Sequence, residues 1–221
     1  MQGKLSHPER KEHAAEKFPS RKYPSAENYF AAYRDHIMRS WSTVDVAAVT
    51  RAAQLLQECL MRDGVVYACG NGGSAAIANH LLCDYHKGIQ TGTAARPRIV
   101  SLSSHLELLT AISNDVGYGD SFLFQLSSMA RPGDLLLTIS ASGDSENVVR
   151  AAFWAKENAI PVISLVGFSG GRCKAIADVL IHVAAENYGV VEDVHQSIMH
   201  ILTQYLRHAM MSSDQIAASK F

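Results

Sequence analysis

The chain holds two short stretches whose residue types can bind an anion, and a scatter of histidines and carboxylates that could act beside one. The first stretch is Gly70-Asn71-Gly72-Gly73-Ser74, between an apolar run opening at Val65 and helix-favouring residues from Ala75 onward. A glycine turn feeding a helix presents backbone N–H groups outward, and the helix dipole favours negative charge there. No lysine follows the glycines, which excludes a Walker loop, and their order is not G-x-G-x-x-G. His80 and Asp84 follow, four residues apart, and so share one face of the helix. A phosphate cradle with a His/carboxylate pair beyond it points to a phosphorylated substrate whose reactive end lies near that pair.

The second stretch is Ser140-Ala141-Ser142-Gly143-Asp144-Ser145, which places three hydroxyls within six residues. Hydroxyls and backbone N–H groups hold a phosphate without a basic side chain when a helix N-terminus follows. Helix capping by Ser145 accounts for one of the serines and not for all three. Near the C-terminus, Glu192, Asp193, His195 and His200 fall in a helical stretch. Asp193 and His200, seven apart, share a face, and Glu192 sits where the helix begins and can swing to either side. Histidine and carboxylate sets from two helices suit zinc or another divalent metal. On spacing alone, structural or surface histidines remain the other reading.

These residues need a scaffold, and the chain supplies one in regular alternation. Residues 1–24 are polar and unpatterned, and read as a disordered or loosely docked tail. Residues 25–62 read as two helices, the first capped by Ser25, the second starting after Ser42 and Thr43. Strands are expected at 65–67, 98–102, 135–139, 160–166 and 178–183. Helices are expected after Ala75 and at 106–112, 121–129, 146–158, 174–177 and 191–211, with polar links at 86–98 and 113–119. Strands alternating with helices imply a single α/β domain over 25–221: a three-layer α/β/α sandwich with a mainly parallel, doubly wound sheet, preceded by N-terminal helices. The nearly wholly apolar run Leu135-Leu136-Leu137-Thr138-Ile139 suits a strand covered on both faces. In such sheets ligands bind at the carboxyl ends of the strands, where both anion stretches fall.

The formal net charge of −1 gives no global basic field to recruit nucleic acid. The four cysteines, Cys59, Cys69, Cys83 and Cys173, have no paired spacing and read as free thiols of a reducing compartment. No apolar run approaches a membrane span, and the first residues lack an apolar signal core, so a cytoplasmic protein is expected. A charged fraction of 19% is on the low side and fits a chain that buries surface in an oligomer.

The motifs resemble those of the sugar isomerase (SIS) domain family. Gly70 to Ala76 with His80 resembles its first motif, and residues 111–118 and 139–148 match further segments. Residues 191–202 resemble the last-helix motif of the phosphoheptose isomerase branch. The likeness runs from about Ser25 to Leu206 and implies a flavodoxin-like fold. It also implies a homotetramer with active sites between subunits, a bound zinc, and conversion of sedoheptulose 7-phosphate to a mannoheptose 7-phosphate. Carried over by position, Asn71, Gly72, Gly73, Ser74, Ser140, Ser142 and Ser145 would hold the substrate, chiefly its phosphate, and Asp115 would contact the sugar. His80, Asp84, Glu192 and His200 fall on the metal positions, with Asp84, Glu192 and His200 also catalytic. The chain departs from the family at four places. Asp84 stands for a glutamate, Glu192 for a glutamine, Ala141 for a threonine, and Gly88, beside Lys87, for an arginine. The resemblance leaves two other functions open: a non-catalytic module binding a phosphosugar or a protein partner, and an isomerase for a different phosphosugar. Binding-module relatives tend to lose the histidine that His200 preserves.

Overall fold

The computed structural model describes residues 16–221. The chain opens with a two-residue strand, β1 (Glu16–Lys17), then α1 (Ala26–Ser42) and α2 (Val46–Met61). Next come β2 (Val65–Cys69), α3 (Gly73–Cys83), a π-helical turn (Asp84–Gly88) and β3 (Arg98–Ser101). Then follow α4 (Leu106–Asp115), a 3₁₀ turn (Tyr118–Asp120), α5 (Ser121–Met129), β4 (Leu135–Ser140) and α6 (Glu146–Glu157). The last part is β5 (Val162–Val166), α7 (Cys173–Ile176), β6 (Val179–His182), β7 (Ala185–Glu186), α8 (Tyr188–Ala209) and α9 (Ser213–Ala217).

The main sheet has five strands in the order β3-β2-β4-β5-β6, all parallel. Every residue of β2, β4 and β5 is buried, as their largely apolar runs require when helices cover both faces, and the polar Thr138 and Ser164 hydrogen-bond to each other at 2.7 Å. The pleat divides them between two cores. Val66, Ala68, Leu135, Leu137, Ile139, Ile163 and Leu165 pack with α2, α3 and α8. Val65, Tyr67, Cys69, Leu136, Val162 and Val166 pack with α5 and α6 on the opposite face. This is the expected three-layer sandwich. The chain runs from β2 outward to β3, then crosses back to β4 on the other side of β2. The strand order therefore reverses between β2 and β4, the position where such sheets bind ligands. Both anion stretches leave the sheet there.

The structure corrects several expectations. Of the expected tail over 1–24, residues 1–15 lie outside the described residues, and the end of it is docked on the domain. β1 pairs with β7, and the buried Phe18 packs its ring on Tyr29, Tyr33 and His36. The second helix does start after Ser42 and Thr43, at Val46, with the Asp45 carboxylate accepting from the Ala47 N–H as its cap. The start of the supposed link at 86–98 is helical: α3 runs on into the π-helical turn that begins at Asp84. α4 extends through Asp115, which had been expected in a loop. α8 begins at Tyr188, with the Asn187 side chain accepting from the Val190 N–H at 2.9 Å. Glu192 is therefore inside the helix and not at its entry.

Candidate active site

The first anion loop is built by close approach. Gly70 leaves β2 with its N–H donated to Ser103 Oγ at 3.1 Å, and Ser103 Oγ–H returns to the Gly70 carbonyl at 2.8 Å. Asn71 is clamped: it exchanges amide hydrogen bonds with Asn147 at 2.8 and 3.0 Å and accepts from the Tyr118 hydroxyl at 2.7 Å. Gly72 and Gly73 are exposed at the start of α3, and the buried Ser74 sits in its first turn. α3 has no side-chain cap, so its first N–H groups are left for an anion. A Cβ on Gly73 would lie 2.2 Å from a carboxylate oxygen of Glu192, so glycine is required for that carboxylate to pack over the loop.

The second loop closes on itself. Ser140 Oγ accepts from the Gly143 N–H, and Ser142 Oγ from the Asp144 N–H, each at 3.2 Å. Gly143 has φ +65 and lies against Gly170, where a Cβ would come within 2.1 Å of the Gly170 carbonyl oxygen. Ser145 is the residue preceding α6, and its side chain makes no capping hydrogen bond. The acids flanking this loop are neutralised. Arg172 pairs with Asp144 and, at 2.8 Å, with Glu146, holding both carboxyls below their ordinary range together with Arg150 at Glu146.

At the far end of α3 the titratable groups converge. His200 Nδ1 lies 2.9 Å from Asp84 Oδ2, and His80 Nε2 lies 3.4 Å from Asp84 Oδ1. The two imidazole rings meet edge to face with centroids 4.9 Å apart. One ligand atom from each of His80, Asp84 and His200 lies within 4.8 Å of the others. Two imidazoles and a carboxylate at that separation fit a zinc ion or another divalent cation.

The remaining residues separate. Glu192 stands outside this triad, over Gly73 at the anion-loop end of α3. Burial, and then the Asp193 charge, raise its carboxyl above the ordinary range. Asp193 does not share a task with His200: it accepts from the Tyr33 hydroxyl of α1 at 2.8 Å. His195 is fully buried, and burial pushes its imidazole down to about 4, so it is a neutral core residue. Asp115 is exposed and accepts from the Asn114 amide at 2.7 Å. Asn147, Tyr118 and Gln196 had no signal in the sequence, since each acts through contacts to distant residues.

Residues 28–167 match the SIS domain family. A phosphoheptose isomerase of Neisseria meningitidis serogroup C is 38% identical over 164 residues, covering 71% of this chain and 81% of its own length. One from Rhodospirillum rubrum is 34% identical over 165 residues, 75% of this chain and 87% of its own. Among solved structures, a phosphoheptose isomerase from Neisseria gonorrhoeae superposes with a TM-score of 0.74 at 33% identity, across 81% of this chain and 95% of that one. Another, from Francisella tularensis, gives 0.76 at 27% identity, across 82% and 96%. The strand order, the paired anion loops and these likenesses agree: the chain belongs to the SIS domain family and, within it, to the phosphoheptose isomerases.

Proposed function

We propose that the chain is an aldose–ketose isomerase that converts sedoheptulose 7-phosphate to D-glycero-D-manno-heptose 7-phosphate through an enediol. The observation that carries this reading is the 2.9 Å pairing of Asp84 with His200, at the opposite end of α3 from the anion loop. At about 1.5 Å of rise per residue, His80 stands about 9 Å along the helix from Ser74. That separation suits a substrate with phosphate at one end and its carbonyl at the other.

In this reading the N–H groups of Gly72 and Gly73 and the hydroxyls of Ser74, Ser140, Ser142 and Ser145 take the phosphate, and Asn71, held by Asn147 and Tyr118, faces the sugar. Asp115 as a sugar contact rests on the motif alone. Binding and orientation are the loops' contribution to the rate. Asp84 removes a C1 proton from the ketose while His200, whose Nε2–H leaves its Gln196 partner to reach the substrate, donates a proton to O2, giving the enediol. Asp84 returns its proton to C2 while His200 takes the proton from O1, which gives the aldose and restores both groups. Glu192, which carries a catalytic and a metal role by resemblance, rests its carboxylate near Gly73 in this structure, and its part in the exchange rests on the motif alone. His80, Asp84 and His200 would hold zinc or another divalent cation, which when bound supplies polarisation of the carbonyl oxygen.

Self-association into a homotetramer is part of the proposal. It is supported by a groove of about 540 Å³ bordered by Leu123, Val149, Phe153, Trp154 and Ile176, and by the exposed Phe124 and Phe153. A cytoplasmic location is supported by four free cysteines, three of them buried. Among the described residues, no helix is long and apolar enough to cross a membrane.

The test is NMR of the zinc-loaded protein with sedoheptulose 7-phosphate, following the aldose anomeric signals. Conversion is expected. Tight phosphosugar binding without conversion would overturn the enzymatic reading in favour of a binding module.

A further inference from the structure

Gln196 lies one helical turn from Glu192 and one from His200 on α8, and its amide joins the triad. Its Nε2 is 3.1 Å from His80 Nδ1 and 2.9 Å from His200 Nε2. These are the ring nitrogens that do not face Asp84, because His80 Nε2 and His200 Nδ1 are the ones beside its carboxylate. The four side chains thus form a closed ring: carboxylate, imidazole, amide, imidazole.

The protons in this ring can be placed in two ways. With both rings protonated on the nitrogen facing Asp84, each presents a lone pair to Gln196. A primary amide NH₂ satisfies both, one N–H to each. When a cation sits among Asp84, His80 Nε2 and His200 Nδ1, those nitrogens give up their protons and the opposite nitrogens carry them. Gln196 then faces two N–H donors. Turned over, the same amide offers an oxygen with two lone pairs and accepts from both rings. Metal-bound imidazoles are held by such partners, and losing the partner typically weakens metal binding 10–100-fold.

We propose that Gln196 is a positioning residue for the divalent site: it fixes which nitrogen of His80 and of His200 faces the cation, and its amide turns over when the cation binds. This rests on the reading of His80, Asp84 and His200 as a metal site. It also assigns to α8 a supporting group four residues beyond Glu192, which packs over Gly73 instead. An apolar side chain at 196 would leave the two imidazole N–H groups to mobile water in the metal-bound state, whereas a glutamate would accept both.

The test is titration with Co²⁺, read by its d–d absorption and by calorimetry, on the parent, Gln196→Leu and Gln196→Glu. Folding is checked by circular dichroism and thermal melting of each metal-free protein. The leucine variant is expected to bind Co²⁺ about 10–100-fold more weakly, with an altered absorption band. The glutamate variant is expected to keep the parent's affinity or exceed it, and affinity for inorganic phosphate is expected to be unchanged in both. Parent-like cobalt affinity and spectrum in Gln196→Leu would overturn the proposal. So would equal weakening in both variants, which would mark a packing role. A parent that takes up no cobalt would overturn the metal reading itself, and this proposal with it.

Discussion

Asp84, the residue after α3, and His200, in the middle of α8, are 116 positions apart in the chain and meet at 2.9 Å. The contact exists because α3 and α8 pack side by side on one face of the sheet. It places the proposed base, a carboxylate, against the proposed acid, an imidazole, and the short aspartate side chain reaches the ring. A π-helical turn begins at Asp84 itself.

Asp84→Asn and His200→Gln each remove one proton-transfer group while keeping size. Each is expected to lower kcat by about 10²–10⁴, the usual worth of a positioned acid or base. Affinity for a phosphosugar should survive, because the proposed phosphate-binding groups lie at the other end of α3. Calorimetry with substrate beside turnover by NMR separates the two effects. Normal turnover in both variants would refute the assignment.

Gly73→Ala tests the packing of Glu192 on the anion loop. The added methyl would collide with the Glu192 carboxylate at 2.2 Å, in a helix where alanine is otherwise preferred. The expected result is a higher KM with a smaller change in kcat. Adding Glu192→Ala should restore binding, with a coupling energy within the 0.5–3 kcal/mol typical of contacting residues. A double-mutant cycle on KM and on thermal stability measures it.

Ser145→Ala distinguishes phosphate binding from helix capping. A capping serine costs about 0.5–2 kcal/mol of stability when replaced by alanine. Ser145 makes no capping hydrogen bond, so the melting temperature should hardly move. Its hydroxyl is free for an anion, and a hydrogen bond to a charged group is worth about 1.5–3 kcal/mol. Inorganic phosphate affinity should therefore fall about tenfold or more, as read by calorimetry. A clear loss of stability with unchanged phosphate affinity would assign Ser145 to the helix alone.

Much of this site was legible because its signals are local. The strands β2 and β4 announce themselves as apolar runs, their ends carry the glycines and serines, and the four-residue spacing of His80 and Asp84 fixes a shared face. What escaped depends on contacts between distant segments or on where an element begins. Asn147 reads as an ordinary helix residue until Asn71, 76 positions earlier, is brought against it. The start of α8 was misplaced because Asn187, not a later residue, caps it. That shift of three residues turned Glu192 from a free helix end toward Gly73. Residues 16–18 looked like tail because pairing with β7 and burial of Phe18 leave no periodic trace in so short a segment.

His195 gives the protein a predictable acid sensitivity. It is fully buried, and burial lowers its folded-state value to about 4, below the ordinary histidine value of about 6.5. The backbone of Val166 offsets part of this, and the nearby His182 adds to it. Since the folded value is depressed, the unfolded chain takes up the proton first as pH falls. The stability contributed by neutral His195 is therefore complete above about pH 6.5 and is lost progressively down to about pH 4. At 1.36 kcal/mol per unit, that loss amounts to about 3 kcal/mol. His195→Leu keeps an uncharged side chain of similar size and removes the proton. Urea denaturation of parent and variant between pH 4 and 7 should give a parent whose stability falls more steeply toward acid, by up to one proton's worth of slope. The other histidines and carboxylates titrate in both proteins and cancel in the difference. Parallel curves would show that His195 accepts its proton without leaving the core.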